Sequence, residues 1–154
     1  MEITDFVSTE SVISNLRATS KKQALQDLAK RAAAITGLHE RAIFDVLMER
    51  EKLGSTGVGN GIAIPHGKLP GLERLHGLFA RLERPVDFHS VDEQPVDLIF
   101  LLLAPESAGA DHLKALARAS RLLRDKSMCA KLRGTDSAEA LYALLTEHQE
   151  SHAV

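Results

Sequence analysis

The sequence predicts an α/β fold in which a single mixed, mainly parallel β-sheet is flanked by helices on both sides. Three observations carry this expectation. Apolar runs of strand length alternate with stretches of helical periodicity. The seven-residue apolar run Leu98–Ala104, preceded by Val96-Asp97 and set between Pro95 and Pro105, is apolar on both faces, as a strand covered from both sides requires. A chain of 154 residues is long enough to bury one core without a disulfide or metal staple. There is no internal repeat, low-complexity tract or long linker, so residues 1–154 read as one domain.

The elements follow in chain order. Val12 to Leu16 reads as a first strand. Ser20-Lys21-Lys22-Gln23 has the form of a capping box, and Leu25, Leu28, Ala29, Ala32 and Ile35 follow at helical spacing until Gly37. A second helix is expected from about His39 to Leu53, with Ile43, Val46 and Leu47 in one stripe that continues onto Arg50. Further strands are expected at Ile62–Ile64, Leu75–Leu82 and Val96–Ala104. Helices return at Asp111–Arg124, Lys126–Leu132 and Asp136 to about His148, the last opened by the capping pattern Asp136-x-x-Glu139. In such sheets chemistry tends to sit where loops leave the strand ends.

Charge and composition exclude several functions. Nineteen Lys and Arg against twenty-one Asp and Glu give a net charge of −2, which offers no attraction for nucleic acid or an anionic membrane. With no tryptophan, one tyrosine and five phenylalanines, stacking platforms for single strands are not expected either. The longest apolar run falls far short of the roughly 20 residues that cross a bilayer. The N-terminus, Met-Glu-Ile-Thr-Asp, carries an acid where a signal peptide carries lysine, so the expected location is cytoplasmic, not membrane-embedded. The one cysteine, Cys129, reads as a packing residue. His148 and His152 have the i, i+4 spacing of a ligand pair, but no HExxH and no third ligand accompany them, and no metal is expected.

The unusual segment is Gly54-Ser55-Thr56-Gly57-Val58-Gly59-Asn60-Gly61, followed by Ile62-Ala63-Ile64-Pro65-His66-Gly67-Lys68. Four glycines in eight residues imply backbone amides near a ligand or partner, or several positions at positive φ. A dinucleotide fingerprint from Gly57 requires glycine at 62, where Ile62 stands. A Walker A loop ending at Gly67-Lys68 requires glycine at 62 and Ser or Thr at 69, which is Leu69. Neither nucleotide motif fits. What remains is His66, presented in a loop between Pro65 and Gly67, the glycine leaving the approach to the ring open. A neutral imidazole is a competent nucleophile, and an ordinary histidine pKa of about 6.5 leaves much of it neutral at pH 7.

Two further residues stand at odd positions. Arg50 projects from the apolar stripe of the second helix, where it costs desolvation unless an anion meets it. His112 shares a stripe with Leu116, Ala119 and Leu123 near a helix N-terminus, where the macrodipole favours an anion. Taken singly, Arg50 reads as a snorkelling arginine and His112 as a half-buried packing histidine before either reads as a functional group. Taken together with His66, one nucleophile and two donors are suited to converge on a transferred phosphoryl group.

The stretch from Gly54 to Gly67 resembles the phosphorylation-site signature of fructose/mannitol-class IIA domains of the bacterial phosphoenolpyruvate-dependent phosphotransferase system. Arg50-Glu51, Asp92-x-Gln94-Pro95-Val96-Asp97 and His112-Leu113 with Leu116 extend the likeness over most of the chain. The resemblance implies a mixed sheet flanked by helices and one IIA-type domain. It implies that His66 is the phosphoryl acceptor, and that His112 and Arg50 are the supporting donor and cation. Gly57, Gly59, Asn60, Gly61, Pro65 and Gly67 are the candidate loop and interface residues. Within the family the chain is most similar to the stand-alone nitrogen-regulatory members, which take phosphate from an HPr-like phosphocarrier, need no cofactor and control target proteins according to phosphorylation state. The alternatives are a sugar-specific IIA component passing phosphate to a IIB protein, and a binding module without turnover. Exposed members of the set Ile62, Ile64, Pro65, Leu69 and Leu72 are expected to form an apolar docking rim, whose burial by a target the new phosphoryl charge would oppose.

Overall fold

The computed structural model describes residues 1–152, with side chains described through Glu147. Its strands are β1 (Val12–Leu16), β2 (Gly57–Gly59), β3 (Ile62–Ala63), β4 (His66–Leu69), β5 (His76–Val86) and β6 (Val96–Pro105). They form one six-stranded sheet in the order β1-β5-β6-β3-β2, with β4 also paired to β6. The pairs β1–β5, β3–β6 and β4–β6 are parallel, whereas β5–β6 and β2–β3 are antiparallel. The expected mixed, mainly parallel sheet is therefore present.

β6 is central because both of its faces are apolar. Ile99, Leu101 and Leu103 join α1 (Lys21–Thr36) and α2 (Glu40–Lys52) in one core layer. Leu98, Phe100 and Leu102 join α3 (Ala110–Arg124), α4 (Lys126–Arg133) and α5 (Ala138–His152) in the other. All six side chains are fully buried, each contributing about 1.5–3 kcal/mol relative to exposure.

Several local expectations change. Ser20 Oγ accepts from the Gln23 amide, but the Gln23 side chain accepts from Thr19 N and Oγ1, so the reciprocal half of the box is displaced by one residue. The last helix is capped by Ser137, whose Oγ accepts from the Ala140 amide, and not by Asp136. β5 extends beyond Leu82 to Val86, carrying charged residues along; there Arg17 of the β1 side pairs with Glu83 at 3.2 Å. The glycine-rich stretch is not one continuous loop. Asn60 and Gly61 lie at φ 59° and 79° between Gly59 and Ile62, as a two-residue hairpin of type I′ demands, and they join β2 to β3.

Candidate active site

β3 and β4 lie one after the other along the same edge of β6: Ala63 is opposite Ile99, and His66 is opposite Leu102. Ile64 and Pro65 interrupt this edge. Pro65 has no N–H to give, although its carbonyl still accepts from the Leu102 amide at 2.9 Å. Ile64 turns its amide to Thr56 O, 3.0 Å away, and its own carbonyl accepts the Nδ1–H of His66 at 2.9 Å. Because that carbonyl can only accept, the proton sits on Nδ1. The Nε2 lone pair then faces Arg50, whose Nε–H approaches it at 3.4 Å. His66 is thus the half-buried first residue of β4, not a loop residue, and both of its ring nitrogens are oriented.

Arg50 lies in the last turn of α2, where its Nη1 also donates to Gly54 O at 3.0 Å. That bond satisfies part of the guanidinium at the helix C-terminus and aims Nε at the histidine. His112, in the first turn of α3, places its ring edge-on to that of His66, with centroids 5.7 Å apart and planes at 71°. It is buried where half-burial was expected, and its Nε2 has no hydrogen-bond partner among the described residues. Burial pushes the His112 imidazole below its ordinary pKa, and His66 and Lys68 push it further down, so it is neutral at pH 7. Three elements therefore bring Arg50, His66 and His112 together. Lys68, two residues along β4 and on the same face as His66, adds an exposed cation that motif reasoning did not single out.

The surrounding candidates support the site from behind. Gly57 lies against Ser90, whose side chain an added Cβ would meet. Gly67 admits Val46 of α2, whose Cγ1 would be 2.5 Å from an added Cβ; its role is close packing, not an open approach to the ring. Gly59 lies beside the Asp92 carboxylate, which accepts from the Asn60 amide at 2.9 Å. The Asn60 amide, with that of Gln94, holds Asp92 below the usual carboxylate range. On the other side Arg133 donates from Nε to both oxygens of Asp97 and from Nη2 to Asn60 O at 2.7 Å. The hairpin turn is clamped from two directions.

A family model described as "Phosphoenolpyruvate-dependent sugar phosphotransferase system, EIIA 2" matches residues 5–148. This chain belongs to that EIIA 2 family. A nitrogen regulatory protein of Bradyrhizobium diazoefficiens is 63% identical over 145 residues, covering 94% of this chain and 95% of that protein. A fructose-specific EIIA component of Haloferax volcanii is 35% identical over 129 residues, covering 83% and 84%. The crystal structure of nitrogen regulatory protein IIA-Ntr from Neisseria meningitidis superposes with a TM-score of 0.88 at 36% identity, covering 94% of this chain and 99% of that one.

This EIIA 2 protein is thus a phosphotransferase-system component. The expected docking rim also needs correction, and one buried carboxylate joins the site. Glu51, though it stands in the charged run Glu49-Arg50-Glu51-Lys52, is buried: it pairs with Lys21 at 2.8 Å and accepts from Thr56 N and Oγ1. Ile62, Ile64, Pro65, Leu69 and Leu72 do not form an exposed rim, because all five are buried against the helices and sheet. The large apolar side chains exposed in the neighbouring segments are Leu53 after α2, Val58 on β2 and Leu113 beside His112. No described helix is long and apolar enough to cross a membrane. Among the described residues no group of three His, Cys, Asp or Glu could hold a metal, and the side chains of His148 and His152 lie outside the described residues.

Proposed function

We propose that this EIIA 2 protein, in the cytoplasm, accepts a phosphoryl group on Nε2 of His66 from an HPr-like phosphocarrier and controls target proteins according to its phosphorylation state. The observation that carries the reading is the pair of fixed contacts on one imidazole: Nδ1–H held by Ile64 O, and Nε2 free of its proton beside Arg50. In the transfer, the Nε2 lone pair attacks the phosphorus of the donor's phosphohistidine. The donor's N–P bond breaks in line, and its electron pair returns to the donor ring. No proton has to move from His66, because Nδ1 keeps the one it holds.

The remaining residues act on the charge of the transferred group. The guanidinium of Arg50 is placed to donate to the phosphoryl oxygens, and His112, kept neutral by burial, has a ring nitrogen without a partner beside them. No cofactor or metal is assigned a role, since the donor phosphohistidine is already activated. The nitrogen-regulatory branch is preferred over sugar transport because identity to the nitrogen regulatory relative, 63%, far exceeds the 35% to the fructose-specific component. The test is incubation with phosphoenolpyruvate and the purified general carrier proteins. An acid-labile mass increase of one phosphoryl group, absent from His66→Ala, is expected; phosphorylation of the alanine variant would overturn the assignment.

A further inference from the structure

A second concave site lies apart from the histidine pair. The β2–β3 hairpin and the α3–α4 turn enclose a cleft of about 630 Å³, within the range of small-molecule pockets. None of Arg50, His66 and His112 lines it. Its floor is apolar, built from Ile62, Ile64 and Leu123 with the thiol of Cys129. That thiol donates to Leu123 O at 3.2 Å and is pushed up in pKa by burial, so it acts as an inert wall.

The polar lining is one-sided in charge. Arg124 and Lys126 stand at the rim, and among the described residues no acidic side chain lines the cleft. Arg133 is already engaged by Asp97 and Asn60 O, but neither Arg124 nor Lys126 has an ion-pair partner among the described residues. An apolar floor beneath two uncommitted cations is complementary to one kind of molecule. We propose that this cleft binds a small amphipathic organic anion, its apolar body resting on Ile62, Ile64 and Leu123 and its carboxylate or phosphate held by Arg124 and Lys126.

The test is an NMR titration of the full-length protein with sodium octanoate, following backbone amides. Saturable shifts at Ile62, Ile64, Leu123 and Cys129 are expected. Octanamide, which keeps the tail and loses the charge, is expected to bind about tenfold more weakly, as is octanoate to the Arg124→Glu/Lys126→Glu variant. Both substituted residues are exposed, and an Arg124→Gln/Lys126→Gln variant serves if charge reversal disturbs the fold. Absence of saturable shifts, shifts confined to other surfaces, or equal binding of octanamide or of the neutralised variant would each overturn the proposal. Co-sedimentation with phosphatidylglycerol vesicles without octanoate binding would overturn it too, by showing a membrane surface in place of a free ligand. Because the readout involves no phosphoryl transfer, its outcome is independent of the role given to His66.

Discussion

Lys21 Nζ meets Glu51 Oε1 at 2.8 Å where the Glu51 side chain is only 4% exposed. The pair ties the start of α1 to the end of α2, and Glu51 passes the connection to the Thr56 amide and hydroxyl. From Thr56 it reaches Ile64, whose amide Thr56 O accepts, and so the residue that holds His66. Removing one partner of a buried pair strands the other charge. Glu51→Ala is therefore expected to cost about 3–5 kcal/mol in urea unfolding, and Glu51→Gln less, since the amide keeps an acceptor for Thr56. A Glu51→Ala variant as stable as the native protein would return Glu51 to the helix surface.

Arg50 and His112 are expected to act on rate more than on fold. Well-placed donors to a developing anion are worth about a hundredfold to a thousandfold each, so Arg50→Ala and His112→Ala should slow phosphoryl transfer by that order. Arg50→Lys should recover only part, because lysine lacks the planar fork. Single-turnover transfer from a phosphorylated carrier measures this, and native rates in both alanine variants would make the two residues packing elements.

The ring nitrogen of the proposed transfer can be checked directly. Imidazole ¹⁵N shifts of His66 are expected to show the Nδ1–H tautomer before transfer and phosphorus coupling at Nε2 afterwards. Coupling at Nδ1 would contradict the role of Ile64.

Stability is expected to fall on acidification between neutral pH and the lowered folded pKa of His112. His112 and His76 both have folded pKa values below 6.5, mainly through burial, with Arg74 adding to the effect on His76. Below pH 6.5 the unfolded chain takes up protons that these folded residues resist, so stability declines from there down to the folded pKa values and then levels. Urea midpoints from pH 7.5 to 5 should fall in the native protein and fall less in His112→Gln. An identical slope in that variant would remove His112 from the account.

The Gly57–Ser90 contact predicts a paired effect. Gly57→Ala forces a Cβ onto the Ser90 side chain and is expected to cost about 1–3 kcal/mol, as overpacking does. Adding Ser90→Gly should restore part of it; no restoration would mean that the backbone, not the side chain, rejects the methyl group.

Much of this architecture was readable because its signals are local. The α1 and α2 stripes and the β6 run each lie in one contiguous window, and Arg50 and His112 announce themselves as polar interruptions of apolar stripes. Glu51 was not readable in the same way: it stands in a charged run, and its partner Lys21 is distant in sequence. The hairpin carries a usable signal in Asn60-Gly61, but its flanking strands, of three and two residues, are too short to show alternation. Which of the apolar residues beside His66 face solvent is not legible in the sequence, because composition does not show direction, whereas the interrupted edge of β6 turns them inward.

The hydrogen bond from His66 to Ile64 also bears on the reverse reaction. A phosphorylated imidazole that keeps its Nδ1 proton carries a positive ring, and breaking its N–P bond releases neutral imidazole and not an imidazolate. The contact that leaves Nε2 a nucleophile thus makes it an equally good leaving group. On the proposed reading, His66 works as a gauge and not a latch: its occupancy rises and falls with the phosphorylation level of the donor, with no separate step needed to reset it.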